Sequence, residues 1–407
     1  MRITGIETVQ VEEFSNMLWV RVHTDEGLVG LGETFRNPVA IAAYVHETCA
    51  PWLLGKDPLQ IERHAHALRH RVGNHFEGFP SRSVEIRGNS AIDLALWDIF
   101  GKASGLPLHQ LLGGLSRERI RIYNTCASVA YNAKARADAN SKLIRPGSAP
   151  EADGPLDDLE AQHRTPGELA RSLLEDGITA MKIWPFDAYA LESNGHHIAP
   201  ADLRRGAAVV EAIRDAVGEE VDVMLEFHAL WHLPAALEIA DRLSEHDIYW
   251  YEDPIDMANF DDLRRYREGV IGRVTGSENL GTRTWYREAF QRGAIDVAHF
   301  DIGWIGGLTE GRKVAALAEA FDRPIAPHDC TGPVQLCANV HMLMAAPNAL
   351  VLETVRAHYR GYYQQIVTVL PRIEQGFAYP MAGPGIGTEL QPELLGRADA
   401  TIRRSAA

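Results

Sequence analysis

The chain has 407 residues, of which 46% are hydrophobic and 23% are charged, an ordinary composition for a globular protein. This length exceeds what one small core needs and predicts two domains. The formal net charge of −15 argues against nucleic acid or an anionic membrane as a partner. It leaves a small anionic substrate open, because lysines and a bound cation set the local field of a site.

The cysteines and the N-terminus indicate the compartment. Cys49, Cys126, Cys330 and Cys337 form no CxxC pair, and four in a chain of this length are no disulfide framework. The first residues, MRITGIETVQVEEF, lack the apolar core of a signal peptide. No apolar run approaches the roughly 20 residues of a membrane span. We therefore expect a soluble, reduced, cytoplasmic protein with no membrane partner.

The first part of the chain predicts an α+β domain over residues 1–119. Residues 3–34 show the alternation and the turn signal of three strands, with the turn at Asp25-Glu26-Gly27. Helical patterns follow at 38–54, 58–73 and 83–104. Strands followed by helices are typical of a separate α+β domain.

The region 120–374 predicts a parallel barrel. Eight strand candidates alternate there with helical stretches: IRIYNTCAS, ITAMKIW, VDVMLEFHAL, IYWYEDP, RVTGSE, VAHFDIG, PIAPHD and ALVLETV. Eight such units favour a β/α barrel over an open doubly wound sheet. The tail after residue 374 is rich in Gly and Pro and then polar, so we expect about 375–407 to leave the barrel and complete the first domain.

The segment 132–165 is anomalous. It is polar and follows the first barrel strand, where a short loop is expected. Loops of this length are usually functional or disordered. Because it follows a strand at the mouth of the barrel, it is either a lid or a mobile surface insertion.

Three glutamates stand at even spacing in the barrel region. Glu226, Glu252 and Glu278 each follow a short apolar run and are 26 residues apart, about the length of one β/α unit. This spacing predicts that they lie at the C-terminal ends of consecutive strands, which converge on one mouth. Three carboxylates there would repel one another without a cation, and all-oxygen ligands favour a hard ion such as Mg²⁺.

Further polar residues continue this register. Asp301, His328 and Glu353 follow Glu278 at intervals of 23, 27 and 25 residues, and Lys182 ends the strand AMKIW. Lysine and aspartate are rarely buried unpaired, so they are poor candidates for core packing. His228 lies two residues after Glu226, and strand alternation predicts that both face the mouth.

At this point the sequence resembles the enolase superfamily, mandelate racemase subgroup, over nearly its full length. The resemblance rests on the strand-end acids and on four segments: SAIDLALWDIFGKASGLPLHQLLGG at 90–114, DIGWIGGLTEGRKVAALAEA at 301–320, APHDCTGPV at 326–334 and PGIGTEL at 384–390. It implies a modified (β/α)8 TIM-type barrel under an α+β capping domain, bound Mg²⁺, removal of a proton α to a carboxylate, and a homo-oligomer.

The resemblance also implies a role for each site residue. Glu226, Glu252 and Glu278 match the metal ligands, although the first ligand in this family is more often aspartate. Lys182 matches the first lysine of the family's KxK motif, and Trp184 stands in place of the second. Asp301 and His328 match the general-base pair, and Glu353 matches the acid after the last strand. His228 matches the acid histidine of several sugar-acid dehydratases.

These roles together predict a Mg²⁺-dependent hydro-lyase that dehydrates an aldonate or aldarate to a 2-keto-3-deoxy acid. A racemase, epimerase or cycloisomerase that shares the first step is the enzymatic alternative. A binding protein that keeps the fold and the metal but has lost activity is the alternative outside enzymes. The substrate's length and stereochemistry are expected to depend on capping-domain loops near 14–16 and 76–79.

Overall fold

The computed structural model describes residues 1–70, 83–132, 157–280 and 282–406. Within these residues, four strands form an antiparallel sheet in the order β13-β1-β2-β3. These are β1 Ile3–Val11, β2 Met17–Thr24, β3 Val29–Phe35 and β13 Ala400–Ala406. The end of the chain therefore returns to pair with its first strand, Ile6 lying opposite Val22 on one side and Ser405 on the other.

The helices that accompany this sheet follow in chain order. They are α1 Pro38–Tyr44, α2 Ala50–Leu53, α3 Ile61–His70, α4 Val84–Ser104 and α5 Leu108–Leu111. A turn of π-helix, Val45–Cys49, joins α1 to α2. These helices confirm the predicted strand-then-helix pattern, whereas the loop predicted at 76–79 lies outside the described residues.

Helix α4 packs with its backbone directly against strand β3. A Cβ atom on Gly30 would lie 2.0 Å from the carbonyl oxygen of Ala95, and one on Gly32 would lie 1.9 Å from that of Ala91. Both distances are far inside van der Waals contact, so only glycine fits at these two positions. This close approach fixes α4, which carries Arg87 to the interface with the barrel.

Replacing Gly32 with alanine tests this packing. Because the obstacle is backbone rather than a flexible side chain, we expect Gly32→Ala to destabilise the protein by about 1–3 kcal/mol. Gly396→Ala is the matched control, since its added Cβ would meet nothing closer than 3.7 Å. Thermal unfolding followed by circular dichroism measures both, and equal melting temperatures for the two variants would show that the close approach is absent.

The second sheet closes into a barrel. Its described strands are β4 Ile120–Thr125, β5 Ala180–Ile183, β6 Asp222–Glu226, β7 Ile248–Glu252, β8 Arg273–Gly276, β9 Val297–Ala298 and β10 Leu352–Thr354. Neighbours from β4 to β9 are parallel and paired in chain order. Single bridges from Ala298 to Ile325 and from Ile325 to Ala349 continue the ring, and β10 pairs with β4. The predicted β/α barrel is confirmed.

The remaining elements surround the barrel or belong to its tail. The helices are α6 Asp158–Arg164, α7 Pro166–Glu175, α8 Asp187–Ser193, α9 Pro200–Val217, α10 Leu233–Arg242, α11 Phe260–Gly269, α12 Arg283–Gln291, α13 Gly307–Ala320, α14 Pro333–Ala345, α15 Arg356–Tyr359, α16 Tyr363–Ile366 and α17 Pro392–Leu395. A hairpin of β11 Ile373–Glu374 and β12 Phe377–Ala378 pairs through β12 with the start of β4. No helix in the described ranges is long and apolar enough to cross a bilayer.

The segment 132–165 is only partly the loop that we expected. Residues 133–156 lie outside the described ranges, but Asp158–Arg164 form helix α6. A buried ion pair between Asp158 Oδ1 and Arg356 Nη2, 2.8 Å apart, anchors this helix. Gln162 then donates to the carbonyl of Cys126 and accepts from the amide of Trp184, both at 2.9 Å. Helix α6 thus ties together the ends of β4 and β5.

Candidate active site

A small cluster of apolar side chains, here called the floor, fills the interior of the barrel below its mouth. Its fully or almost fully buried members are Tyr123, Ala180, Met224, Trp250, Val297, Ala326 and Val351. Because successive strand residues alternate in direction, the residue two positions later on a strand faces the same interior, nearer the mouth. Those positions hold Thr125, Lys182, Glu226, Glu252, His299, His328 and Glu353. The local fold therefore sets a layer of polar side chains directly above the floor.

Lys182 lies at the centre of this polar layer. Its ammonium nitrogen is 2.5 Å from Glu252 Oε1, 3.0 Å from Glu353 Oε1 and 3.7 Å from Glu226 Oε2. The side chains of all four residues are at most 3% exposed. One buried cation is thus shared among three buried carboxylates, a net negative cluster.

The shifts in pKa follow from this imbalance. Burial raises the pKa of Glu226 well above its ordinary value, and the adjacent charge of Glu252 raises it further. Burial alone would also raise the pKa of Glu252, but His299 and Lys182 outweigh it and hold that pKa well below its usual range. Burial would raise the pKa of Glu353 too, but Lys182, His328 and His299 together outweigh it and lower that pKa to about 2.

A second group of possible ligands includes a histidine. One ligand atom each from Glu252, Glu278 and His299 lie within 4.8 Å of one another, and all three residues are buried. Glu278 Oε2 is buried without a hydrogen-bond partner. His299 Nδ1 donates to the carbonyl of Ala326 at 2.5 Å, which leaves Nε2 3.0 Å from Glu252 without hydrogen-bond geometry. These unsatisfied atoms fit a shared cation.

The structure therefore brings the three predicted metal ligands together, but their surroundings differ. Glu226 and Glu252 are register partners on β6 and β7, and Glu252 is grouped with Glu278. Glu226 Oε1 accepts from the backbone amide of His228 at 2.5 Å, and the third residue grouped with Glu252 and Glu278 is His299, to which the sequence analysis assigned no role. The buried acidic and histidine group can hold a metal ion.

His328 and Asp301 form one histidine–aspartate pair at the mouth. His328 Nδ1 donates to Asp301 Oδ2 at 2.7 Å, and Asp301 also accepts from Thr331 and from the amide of Gly303. The aspartate is fully buried and held by three donors, so it fixes the imidazole in one orientation. Burial would lower the pKa of His328, but Cys330, Glu353 and Asp301 outweigh it and raise that pKa well above its ordinary value.

His228 and Asp187 form a second pair of the same construction. His228 Nδ1 donates to Asp187 Oδ2 at 2.6 Å, and Asp187, at the start of α8, is 1% exposed. The Trp184 ring meets the His228 ring edge-on, with centroids 5.7 Å apart. His228 has a positive φ of 47°, so β6 has ended and the predicted strand alternation no longer sets its direction. Asp187 and the indole position it instead.

Residues of the first sheet reach the base from the other side. The Trp304 ring lies with its centroid 4.9 Å from that of His328, and Phe35 stacks on Trp304. Tyr131 stacks on Phe35, and its hydroxyl accepts from Cys330 Sγ at 3.7 Å. Cys330 Sγ is 3.2 Å from His328 Nε2. In the loop at 14–16, the side-chain amide of Asn16 donates to the carbonyl of Tyr131, and the expected influence of this loop on the substrate stays a prediction.

Comparison with known proteins agrees with this architecture. The family model for the mandelate racemase / muconate lactonizing enzyme N-terminal domain matches residues 4–113, and the model for the enolase C-terminal domain-like family matches residues 166–394. The chain belongs to the enolase superfamily. The first match covers β1 to β3 of the first sheet, and the second covers the barrel strands β5 to β10.

Several individual proteins are similar to this chain over most of its length. An enolase of the mandelate racemase subgroup from Agrobacterium tumefaciens has a crystal structure with a TM-score of 0.86 and 45% identity, covering 100% of this chain and 99% of that one. A D-gluconate dehydratase of Thermoproteus tenax is 30% identical over 94% of this chain and 69% of that protein. A D-galactonate dehydratase of Pectobacterium atrosepticum is 28% identical over 97% and 94%.

Removing the shared cation tests the electrostatics of this enolase-superfamily site. Lys182→Met would leave buried carboxylates without compensation, so we expect a loss of about 3–5 kcal/mol in the free energy of unfolding. Lys313→Met is the control, because Lys313 pairs with Glu62 at the surface and such pairs contribute about 0–1 kcal/mol. Urea unfolding without divalent cations measures both. Equal losses in the two variants would contradict the charge-sharing arrangement.

Proposed function

We propose that this protein is a Mg²⁺-dependent hydro-lyase that dehydrates a sugar acid to a 2-keto-3-deoxy acid. The observation that carries the proposal is the pairing of a buried carboxylate cluster with two aspartate-oriented histidines, one for each proton transfer that dehydration needs. The names of the sugar-acid dehydratases among the relatives support the same reaction class. We expect the substrate to be a small carboxylate with a hydroxyl on the carbon next to the α-carbon.

The metal assignment follows from the donor set. Glu226, Glu252 and Glu278 supply oxygen ligands of the kind that Mg²⁺ prefers, and the unpartnered Oε2 of Glu278 is one atom that such an ion would satisfy. His299 Nε2 lies beside this set and would support it. When bound, Mg²⁺ would stabilise the negative charge that develops on the substrate carboxylate.

His328 is the proposed general base. Because its Nδ1–H is given to Asp301, Nε2, which contacts the Cys330 thiol, is the nitrogen left to accept the proton from C2 of the substrate. Asp301 also stabilises the imidazolium that results. The C2–H bond breaks, its electron pair forms the enediolate, and the proton stays on His328.

Lys182 and Glu353 have linked roles. The Lys182 ammonium is the positive side chain placed to hold a substrate carboxylate at the mouth. Glu353 accepts from Lys182, from the hydroxyl of Thr125 and from the amide of Asp329. With its pKa lowered to about 2, Glu353 is ionised, which favours its orienting Lys182 over its donating a proton.

His228 is the proposed general acid. Asp187 accepts from His228 Nδ1 and fixes the orientation of the ring, so Nε2 is the nitrogen that can give a proton to the departing 3-hydroxyl. The C3–O bond breaks, water leaves, and the resulting enol ketonises to the product. Trp184 occupies the position where a second base would otherwise lie, and an indole nitrogen donates but does not accept. Deprotonation from one face favours dehydration over racemisation.

The base assignment predicts a selective loss of chemistry. In a turnover screen with acid sugars, we expect the wild-type protein to release 2-keto-3-deoxy acids and His328→Asn to lose about 10²–10⁴-fold in kcat. His341→Asn serves as a control because this histidine is buried away from the mouth, hydrogen-bonded to the carbonyl of Ile386. A His328→Asn variant with near-wild-type kcat would exclude this base. No turnover of any acid by the wild-type protein would favour the binding-protein alternative.

The acid assignment predicts that the two proton transfers can be separated. His228→Asn should still exchange the C2 proton of the substrate through His328, while elimination of the 3-hydroxyl is lost. Incubation in D₂O, followed by NMR at C2, should show deuterium uptake with retained configuration and no keto-deoxy product. His232→Asn is the matched control, since His232 stacks on His196 outside the site. Accumulation of the inverted C2 epimer with the wild-type enzyme would favour an epimerase instead.

A further inference from the structure

Arg36 lies at the end of β3 in an unusual backbone conformation. Arg36 and Asn37 both have positive φ values, 63° and 55°, which residues other than glycine adopt at a cost. The Arg36 guanidinium lies over the rings of Phe35 and Tyr131, with Cζ 5.2 and 5.6 Å from their centroids, and Nη2 donates to the Tyr131 hydroxyl at 3.2 Å. The strained turn therefore holds a guanidinium over two aromatic rings beside the base.

Arg87 brings a second cation to the same place from helix α4. Its guanidinium carbon is 3.9 Å from the centroid of the Trp304 ring, and Nη1 donates to the carbonyl of Phe35 at 2.5 Å. The residue is 7% exposed, and its Nε is buried without a hydrogen-bond partner. Burial lowers the pKa of Arg87 to about 10, so it remains charged at neutral pH.

The two arginines lie close together, and the salt bridges found among the described residues include neither of them. Burial lowers the pKa of Arg87 and the charge of Arg36 lowers it further, while the charge of Asp301, the partner of His328, raises it. Among the described residues, the hydrogen bonds of these guanidinium groups go to the Tyr131 hydroxyl and the Phe35 carbonyl. Arg87 Nε is buried without a partner, whereas buried charges are normally paired with an opposite charge. One aromatic ring separates Arg87 from His328, and one hydroxyl and one thiol separate Arg36 from His328 Nε2.

A negatively charged group of the substrate would supply the opposite charge that the two guanidinium groups lack. Lys182 and the proposed metal ligands lie in the polar layer above the barrel floor and are assigned to the carboxylate next to the reacting carbon. The arginines lie on the other side of the base, with the first sheet, where the far end of a substrate would be. Guanidinium groups bind carboxylate and phosphate oxygens with two donors each.

We infer that Arg36 and Arg87 form a subsite for a second anionic group at the far end of the substrate, so that the preferred substrate is a sugar acid charged at both ends. This inference rests on the proposed function and narrows its substrate class. A terminal carboxylate, as in an aldarate, and a terminal phosphate ester of an aldonate share the required chemistry. An aldonate with a neutral terminal hydroxyl does not.

The test compares three acids of the same length and stereochemistry: an aldarate, the corresponding aldonate and its terminal phosphate ester. We expect kcat/KM for an acid charged at both ends to exceed that for the aldonate by about 10- to 100-fold, the effect of a charge-assisted hydrogen bond. Arg36→Gln should remove most of this ratio, and Arg36→Lys should restore part of it. A ratio measured on one preparation is independent of the fraction of protein that is folded. The doubly charged acid with the higher kcat/KM identifies the source of the distal anion.

Arg312→Gln is the matched control. Arg312 also lies over an indole ring at the boundary between the first domain and the barrel, 5.1 Å from the centroid of Trp97, but far from the base. The control should keep the wild-type ratio. Calorimetry with His328→Asn gives a second readout, in which a doubly charged acid should bind about 10- to 100-fold more tightly than the aldonate.

The outcomes separate this inference from the proposed function. Turnover of the aldonate with equal or higher kcat/KM than both doubly charged acids would overturn the distal anion subsite and leave the dehydratase intact. An unchanged ratio of the kcat/KM values in Arg36→Gln would also overturn the subsite and leave the dehydratase intact. Failure of every acid to turn over, with no difference in calorimetric affinity, would overturn both.

Discussion

The sharing of one buried ammonium among three buried carboxylates is the interaction on which the site depends. Lys182 lies 2.5 Å from Glu252 and 3.0 Å from Glu353, with Glu226 slightly farther away. An uncompensated carboxylate at this depth would be very costly, so the cluster is stable only while cations balance it. A site with more negative than positive charge is suited to bind a divalent ion and a substrate carboxylate together.

The rest of the molecule supports that cluster from two directions. The apolar floor of the barrel, with Trp250 and Met224 at its centre, excludes water beneath it and sets the height of each charged side chain. The first sheet covers the opposite side through Phe35 and Trp304, which pack against the base His328. The reacting groups are thus held between a rigid floor and a cover that carries its own positive charge.

Much of this arrangement could be predicted from the sequence, because period-2 strands and repeat spacing fix which residues reach the mouth. The barrel and the position of Lys182 follow from that rule alone. Asp187 and Gln162 could not be found this way, since each acts from a helix through a hydrogen bond that no spacing encodes. His299 has the strand register of a residue that faces the mouth, but nothing else in the sequence marked it as part of the site. The homo-oligomer implied by the family stays a prediction.

The most direct test of the account is a crystal structure of the protein grown with Mn²⁺ in place of Mg²⁺, using anomalous scattering to locate the ion. The account predicts one strong peak bonded to carboxylate oxygens of Glu226, Glu252 and Glu278, with Lys182 turned toward the substrate side of the cluster. Absence of a peak at the cluster, with Lys182 still spanning Glu252 and Glu353, would contradict it.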